Sequence, residues 1–148
     1  MKVMLAIDDS RFCAAAVRMV LAQNPPGDTT VKVLHVVEPL MTPYYPELGP
    51  PYPVSLEDLN KTRLKVGRAL AARVTKRIRD AGFEAEQDVR LGPARSTIVD
   101  VAAKWRADLI VMGSHGRQGL KRILLGSVSE HVARHAPCSV EIVRRASR

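Results

Sequence analysis

Three glycines and a serine near the end of the sequence have a spacing that suits phosphate binding. Two residues separate Gly113 from Gly116, and nine residues separate Gly116 from the pair Gly126 and Ser127. Glycine lets a backbone approach a ligand closely and adopt positive φ, and the first amides of a helix point outward with partial positive charge. The spacing is neither that of a P-loop nor that of the dinucleotide-binding fingerprint G-x-G-x-x-G. The segment therefore predicts a phosphate-binding loop of another kind.

Further side chains of this segment could contact an anion. Ser127 either bonds a phosphate or forms a capping box with Glu130, and the glycines that precede it favour the phosphate contact. His115 either steadies a terminal phosphate or acts as a base, or it is a solvated loop histidine. The loop also contains cationic side chains, which would attract phosphate: Arg117, Lys121 and Arg122.

The other potential ligands predict no metal site. His131 and His135 lie four residues apart on the last helix, but they lack a third ligand. His35, inside an apolar strand, is predicted to be a hydrogen-bonded core histidine. Cys13 and Cys138 have no metal or redox spacing, which predicts reduced thiols in a cytoplasmic protein.

Apolar runs and turn signals predict strands that alternate with helices. The predicted strands are 3–7, 31–37, 83–91, 109–112 and 140–143. Asp9 or Ser10 is predicted to cap the first helix, and the later helices cover 56–81, 94–105 and 128–135. This alternation predicts an α/β fold, in which a five-stranded parallel sheet has helices on both faces.

The polarity of the strands predicts their order in the sheet. The first, second and fourth strands are mostly apolar, as central parallel strands are, whereas the third and fifth carry charges, which suits edges. The doubly wound order 3-2-1-4-5 meets both conditions. Such sheets bind ligands at the carboxyl ends of the strands where the order reverses. Those ends are Ile7-Asp8 and Met112-Gly113, so the topology places a ligand beside the glycine loop.

The long helix at 56–81 has an apolar stripe and a basic face. The predicted stripe, which should face the core, is Leu59, Val66, Leu70, Val74 and Ile78. The opposite face carries eight basic side chains, in a chain whose net charge is +8. This face is either a solvated helix exterior or a patch for nucleic acid or a partner; the solvated exterior is favoured because helix exteriors are ordinarily charged.

Length and composition predict one domain, 1–148. No apolar run is long enough to span a membrane. Residues 38–53 contain six prolines and three tyrosines, which exclude a helix or a central strand and predict an ordered or semi-ordered flap.

On these motifs the chain resembles the universal stress proteins of the UspA superfamily, in their ATP-binding branch. That family's nucleotide signature, G-x-x-G, nine residues, then G-[ST], is matched in full by Gly113, Gly116, Gly126 and Ser127. The flanking segments VMGSHGR and LLGSVS are also typical, and the likeness covers nearly the whole chain. The resemblance implies an adenine nucleotide alpha hydrolase-like fold.

The resemblance also implies roles for individual residues. Asp8 would accept a hydrogen bond from adenine, Val36 would line the base pocket, and the glycine loop would contact ribose and phosphates. Mg²⁺ would accompany the triphosphate, and no residue is assigned as a catalytic group or as a dedicated metal ligand. The nucleotide site expected from the resemblance and the topology together comprises Ala6, Ile7, Asp8, Val36, Met112, Gly113, His115, Gly116, Arg117, Gly126, Ser127 and Val128.

Three functions follow as expectations. The first is a regulatory stress-response protein that binds ATP and forms a homodimer through its fifth strand, as family members often do. The second is a slow ATPase or phosphoryl-transfer enzyme, and the third is a basic nucleic-acid-binding module.

Two residues depart from the family pattern. Many ATP-binding members carry proline at the position of Ala6, and an unbroken apolar strand is common where this chain has Glu141. Glu141 could place like charges opposite each other in a dimer.

Overall fold

The computed structural model describes residues 1–40, 55–114 and 125–144. Parallel strands alternate with helices along the chain, as the sequence predicts. The elements are β1 (Lys2–Ile7), α1 (Arg11–Gln23), β2 (Thr30–Val37), α2 (Leu56–Asp80), β3 (Glu84–Leu91), α3 (Ala94–Trp105), β4 (Leu109–Gly113), α4 (Ser127–His135) and β5 (Ser139–Val143). A short 3₁₀ turn, Pro26–Asp28, precedes β2. Most of the proline-rich flap lies outside the described residues.

The strands form one parallel sheet in the order β3-β2-β1-β4-β5, which confirms the predicted fold class and strand order. The apolar strands β1, β2 and β4 are central, because each must bury side chains on both faces. The charged strands β3 and β5 are the edges. The order reverses between β1 and β4, which places the switch point where the sequence predicts it.

The sheet separates two apolar cores. Residues of α1 and α2 pack with Val3, Leu5 and Val33 on one face. Residues of α3 and α4 pack with Met4 and Leu34 on the other face. Successive strand residues alternate between these cores because side chains of a strand point to opposite faces.

The predicted apolar stripe of α2 is wrong in its first half. Leu59 is 38% exposed and Val66 is 63% exposed. The buried face consists instead of Gly67, Ala71, Val74, Thr75 and Ile78.

Two physical reasons account for the difference in α2. A helix of 25 residues is about 37 Å long, whereas a strand of eight residues spans about 26 Å, so one end of α2 extends past the sheet. Small residues also face the sheet, since a Cβ at Gly67 would lie 2.7 Å from Cδ2 of His35.

The first residues of the flap are tied to the helices. The Leu40 amide donates to Oδ1 of Asn60 at 3.1 Å, and the Arg63 guanidinium donates to the Glu38 carbonyl. The Glu38 carboxylate accepts a 3.2 Å hydrogen bond from the amide of Ala94, at the start of α3. The chain therefore leaves β2 in a fixed direction.

The inward-facing positions along β3 are covered only in part. Phe83 and Ala85 are buried and Val89 is half-buried, but Gln87 and Leu91 are exposed. An edge strand has a neighbour on one side only, so its apolar positions receive less cover than those of central strands.

Among the described residues, each helix is too short or too polar to cross a bilayer.

Candidate functional site

The carboxyl ends of β1, β2 and β4 lie at the reversal of strand order, where a sheet of this kind leaves a crevice. Ala6 pairs with Leu34 of β2 and with Met112 of β4, so the three strands end side by side. Ala6, Val36 and Met112 point to the face that carries α3 and α4. Ala6 and Val36 are only half-buried, although they belong to central strands whose preceding residues on this face are fully covered. The crevice thus has an open apolar floor.

Asp8 forms a tight turn directly after β1. Its Oδ1 accepts hydrogen bonds from the Ser10 amide at 3.0 Å and from the Ser10 hydroxyl at 2.5 Å. Ser10, one of the two predicted candidates, is the N-cap residue of α1, but its side chain makes no capping hydrogen bond. Within the part of the chain that the structure describes, Oδ2 of Asp8 has no hydrogen-bond partner and could accept from a ligand.

His35 fixes the position of the β1 end. Its ring is 7% exposed, and Nδ1 lies 2.9 Å from the Ile7 carbonyl oxygen. Because a carbonyl only accepts, Nδ1 carries the proton. The ring also packs against Gly67 of α2. His35 is a hydrogen-bonded core histidine, as predicted, and it holds the residue that precedes Asp8.

Backbone contacts of Ser114 join β4, β5 and α4. The Ser114 amide donates to the Val143 carbonyl at 3.0 Å, and the Ser114 carbonyl accepts from the Gly126 amide at 2.8 Å. The Ser129 hydroxyl lies 3.0 Å from this same carbonyl and 2.8 Å from that of Gly126. Both serines are almost fully buried. These contacts bring the two ends of the glycine loop together.

Gly113 and Gly126 adopt extended backbone conformations. Gly126 has φ −63° and ψ 150°, and Gly113 is the last residue of β4. Neither glycine uses its freedom to adopt positive φ, because a strand end and an N-cap need extended backbone. Among the described glycines, Gly82 has positive φ. What Gly113 and Gly126 offer a ligand is therefore the absence of a side chain, which lets the backbone approach it closely.

Ser127 begins α4 and is exposed. The alternative to phosphate contact, a capping box, does not form: the N-cap is Gly126, no side chain caps the helix, and Glu130 pairs with Arg134 at 2.9 Å. The first amides of a helix have no partner within it. Val128 is half-buried against the core beneath α4. The start of α4 therefore presents amides and a hydroxyl beside the crevice.

Some predicted site residues lie outside the described residues, namely His115, Gly116 and Arg117, together with Lys121 and Arg122. The structure brings the others together at one end of the sheet. Ile7 is the exception in orientation, because it is buried in the core beneath α1 and α2. It contributes its carbonyl to His35.

An open cavity of about 270 Å³ runs along α4, from its first residue to its last. Its lining residues are Arg95, Ser127, Glu130, His131, Arg134 and His135. The rings of His131 and His135 stack with centroids 4.2 Å apart, and Nδ1 of His135 donates to the His131 carbonyl at 2.8 Å. Over 1–40, 55–114 and 125–144, no group of three or more His, Cys, Asp or Glu residues could hold a metal ion.

The two cysteines are free thiols in different surroundings. Cys13 lies in the core with α1 and α2, and Cys138 lies against the core on the other face of the sheet. Burial raises the pKa of the Cys13 thiol to about 11. Burial also raises the pKa of the Cys138 thiol. Both thiols are therefore poor nucleophiles at neutral pH.

Comparison with known proteins identifies the family. Residues 1–144 match the model described as the universal stress protein family. The universal stress protein MJ0531 of Methanocaldococcus jannaschii is 31% identical over 144 residues, which cover 97% of this chain and 82% of that protein.

Solved structures share the fold along the whole chain. The structure of MJ0577, also from M. jannaschii and solved to assign a biochemical function, has a TM-score of 0.81 and 28% identity, and the match covers 99% of this chain and 97% of that one. An Arabidopsis thaliana protein of the universal stress protein family, solved with AMP bound, has a TM-score of 0.69 and 22% identity over 99% of this chain and 93% of that one. The chain belongs to the universal stress protein family.

Proposed function

We propose that this protein binds an adenine nucleotide, ATP in the cell, in the crevice at the carboxyl ends of β1 and β4. It would act as a nucleotide-dependent regulatory protein of the stress response. The observation that carries this proposal is the open apolar floor of Ala6 and Val36 in the middle of a buried sheet, beside the start of α4. A flat apolar base and an anionic tail need these two surfaces next to each other.

The base would lie on the apolar floor. Ala6, Val36 and Met112 supply contacts for a purine ring. Oδ2 of Asp8 would accept a hydrogen bond from the adenine edge, while Oδ1 stays in its turn with Ser10. A nucleotide base with an N–H donor at this position would supply the hydrogen bond that Oδ2 of Asp8 can accept.

The phosphates would lie at the start of α4. The amides of Ser127 and Val128 and the Ser127 hydroxyl would donate to phosphate oxygens. The Gly126 amide already donates to the Ser114 carbonyl. Gly126 would therefore contribute because it has no side chain to block the approach of a phosphate. Mg²⁺ would arrive with the triphosphate and neutralise its charge.

The family supports an adenine nucleotide as the ligand, since the Arabidopsis relative was solved with AMP bound. We propose binding in preference to fast turnover. Phosphoryl transfer needs a positioned metal and a residue that orients the nucleophile. The Asp8 carboxylate at the crevice is bonded to Ser10 and is assigned to the adenine edge, so we do not assign it to a metal or to a nucleophile.

The basic face of α2 is a weaker candidate for function, because four of its eight basic residues have partners. Lys61 pairs with Glu57 at 2.7 Å, and Lys76 pairs with Asp80 at 2.7 Å. Arg79 donates to the Ala85 carbonyl at 2.8 Å, and Arg63 donates to the Glu38 carbonyl. The two ion pairs reduce the charge available to a nucleic acid, and the two carbonyl contacts occupy arginine donors.

We propose also that two chains pair through β5. This edge strand has half-buried Val140 and Ile142. With its amide nitrogen turned toward Glu141, Gln23 donates to the two carboxylate oxygens at 3.2 and 3.3 Å, so the carboxylate has a partner within its own chain. Sedimentation equilibrium should give the mass of two chains; a single-chain mass at micromolar concentration would contradict the pairing.

Ser127→Glu tests the nucleotide site. A carboxylate in the first turn of a helix stabilises it by up to about 1 kcal/mol. The same charge would repel the phosphates, so we expect a melting temperature that is unchanged or higher and an ATP affinity at least about tenfold lower. Calorimetric titration with ATP and Mg²⁺ measures the affinity. Unchanged ATP affinity in the folded variant would refute the site.

The matched control is Ala72→Glu. Ala72 is exposed on α2, on the other face of the sheet, so this variant adds the same charge without entering the crevice or the β5 edge. We expect it to bind ATP as the unmodified protein does. An equal loss of affinity in both variants would show that net charge, and not position, determines the effect.

A further inference from the structure

The cavity along α4 adjoins the proposed phosphate site at Ser127. Ser127 belongs to both, and the first turn of α3 supplies Arg95 to the opposite wall. A nucleotide held by its first phosphate at the start of α4 would extend any further phosphates past Ser127. The cavity offers space for these phosphates.

The charged groups of the cavity differ in how far they are neutralised. Arg134 donates to Glu130 at 2.9 Å, so this pair is internally compensated. The Glu38 carboxylate, at the start of α3, accepts from the Ala94 amide at 3.2 Å. Arg95 is exposed, and among the described residues its guanidinium has no acceptor. Arg95 is therefore the cation of this cavity whose charge is left for a ligand.

We propose that Arg95 binds the terminal phosphate of the nucleotide and makes the site prefer ATP to AMP; this inference rests on the proposed function. A guanidinium donates two parallel hydrogen bonds to a phosphate and keeps its charge at all physiological pH values. AMP has no phosphate beyond the first, so it would not reach the cavity. Arg95 thereby distinguishes nucleotides by the length of their phosphate chain.

The test compares ATP and AMP, each with Mg²⁺, by calorimetric titration of the unmodified protein and of Arg95→Ala. We expect Arg95→Ala to weaken ATP binding about tenfold or more while AMP affinity changes less than about twofold. Arg95→Lys, which keeps a charge but loses the planar fork, should lie between the two. Arg68→Ala is the matched control, because Arg68 is an exposed arginine of α2, on the other face of the sheet.

Each contrary outcome has a defined meaning. Equal weakening of ATP and AMP by Arg95→Ala, or no weakening of either, would overturn the assignment of Arg95 and leave nucleotide binding in place. An equal loss of ATP affinity in Arg68→Ala would attribute the effect to net charge and overturn the assignment as well. If the unmodified protein bound neither nucleotide, the proposed function would fail together with this inference.

Discussion

Burial keeps the thiol of Cys13 neutral in the folded chain. Its pKa rises from the ordinary 9.0 to about 11, chiefly because the core excludes water. The unfolded chain loses its proton at lower pH than the folded one, so the free energy of unfolding falls as the pH rises from about 9 to about 11. Below this range the contribution is fully present.

We predict that Cys13→Ala reduces the alkaline loss of stability. The unmodified protein should lose more free energy of unfolding between pH 8 and pH 10.5 than the variant does, because the variant has no thiol to ionise at this position. Urea unfolding at the two pH values measures the difference, and lysines and tyrosines, which titrate in both proteins, cancel. An identical pH dependence in both proteins would contradict the assignment to Cys13.

Single residues show where sequence inference succeeds. The pattern of glycines, together with the strand order, indicated where the loop begins and ends, because both follow from local composition. The buried serines Ser114 and Ser129 were not predicted as anchors. Their role depends on the approach of β5 and α4 to the end of β4, which is a tertiary contact. The signal that could have indicated the role of Ser129 is a serine at the third residue of a helix whose N-cap is glycine.

At the scale of elements, the contact between α2 and β2 determines how the end of β1 is held. Gly67 lets α2 approach the ring of His35, and this ring donates to Ile7. The helix, the strand and the turn at Asp8 therefore form one packed unit. A larger residue at Gly67 must move the helix or the ring.

We predict that Gly67→Ala destabilises the protein by about 1–3 kcal/mol, since its Cβ would lie 2.7 Å from Cδ2 of His35. Alanine ordinarily stabilises a helix relative to glycine by about 1 kcal/mol, so the expected sign is opposite to that of helix propensity. Urea unfolding measures the change. Gly27→Ala is the control, because nothing lies within 4 Å of a Cβ there. A stabilised Gly67→Ala would show that α2 and His35 can separate without cost.

The elements themselves were largely predictable. The strands and helices were placed to within about two residues, because apolar runs, glycines and prolines mark them clearly. The set of residues that α2 buries was not predictable. The sequence favoured Leu59 and Val66 as core residues, but the sheet selected the small residues Gly67 and Ala71. Hydrophobic periodicity cannot show which small residue must face a bulky neighbour.

At the scale of the whole molecule, the reversal of strand order creates the crevice. α3 contacts β2 and α4 contacts β5, and the ends of β1 and β4 lie between these strands. Strand polarity predicted which strands are central, since these must be apolar on both faces, and the doubly wound topology supplied the order. The cavity with Arg95 was not predicted, because residues 95 and 127 are far apart in sequence and meet only when α3 and α4 pack together.

The most direct test of the central claim is a titration of ¹⁵N-labelled protein with ATP and Mg²⁺, followed by the backbone amide resonances. We predict saturable shifts at Asp8, Val36, Ser127 and Val128. The amides of Arg18 and Arg68, in the helices that cover the other face of the sheet, should stay in place. The absence of any saturable shift, or shifts confined to α2, would contradict the claim that the nucleotide binds where the strand order reverses.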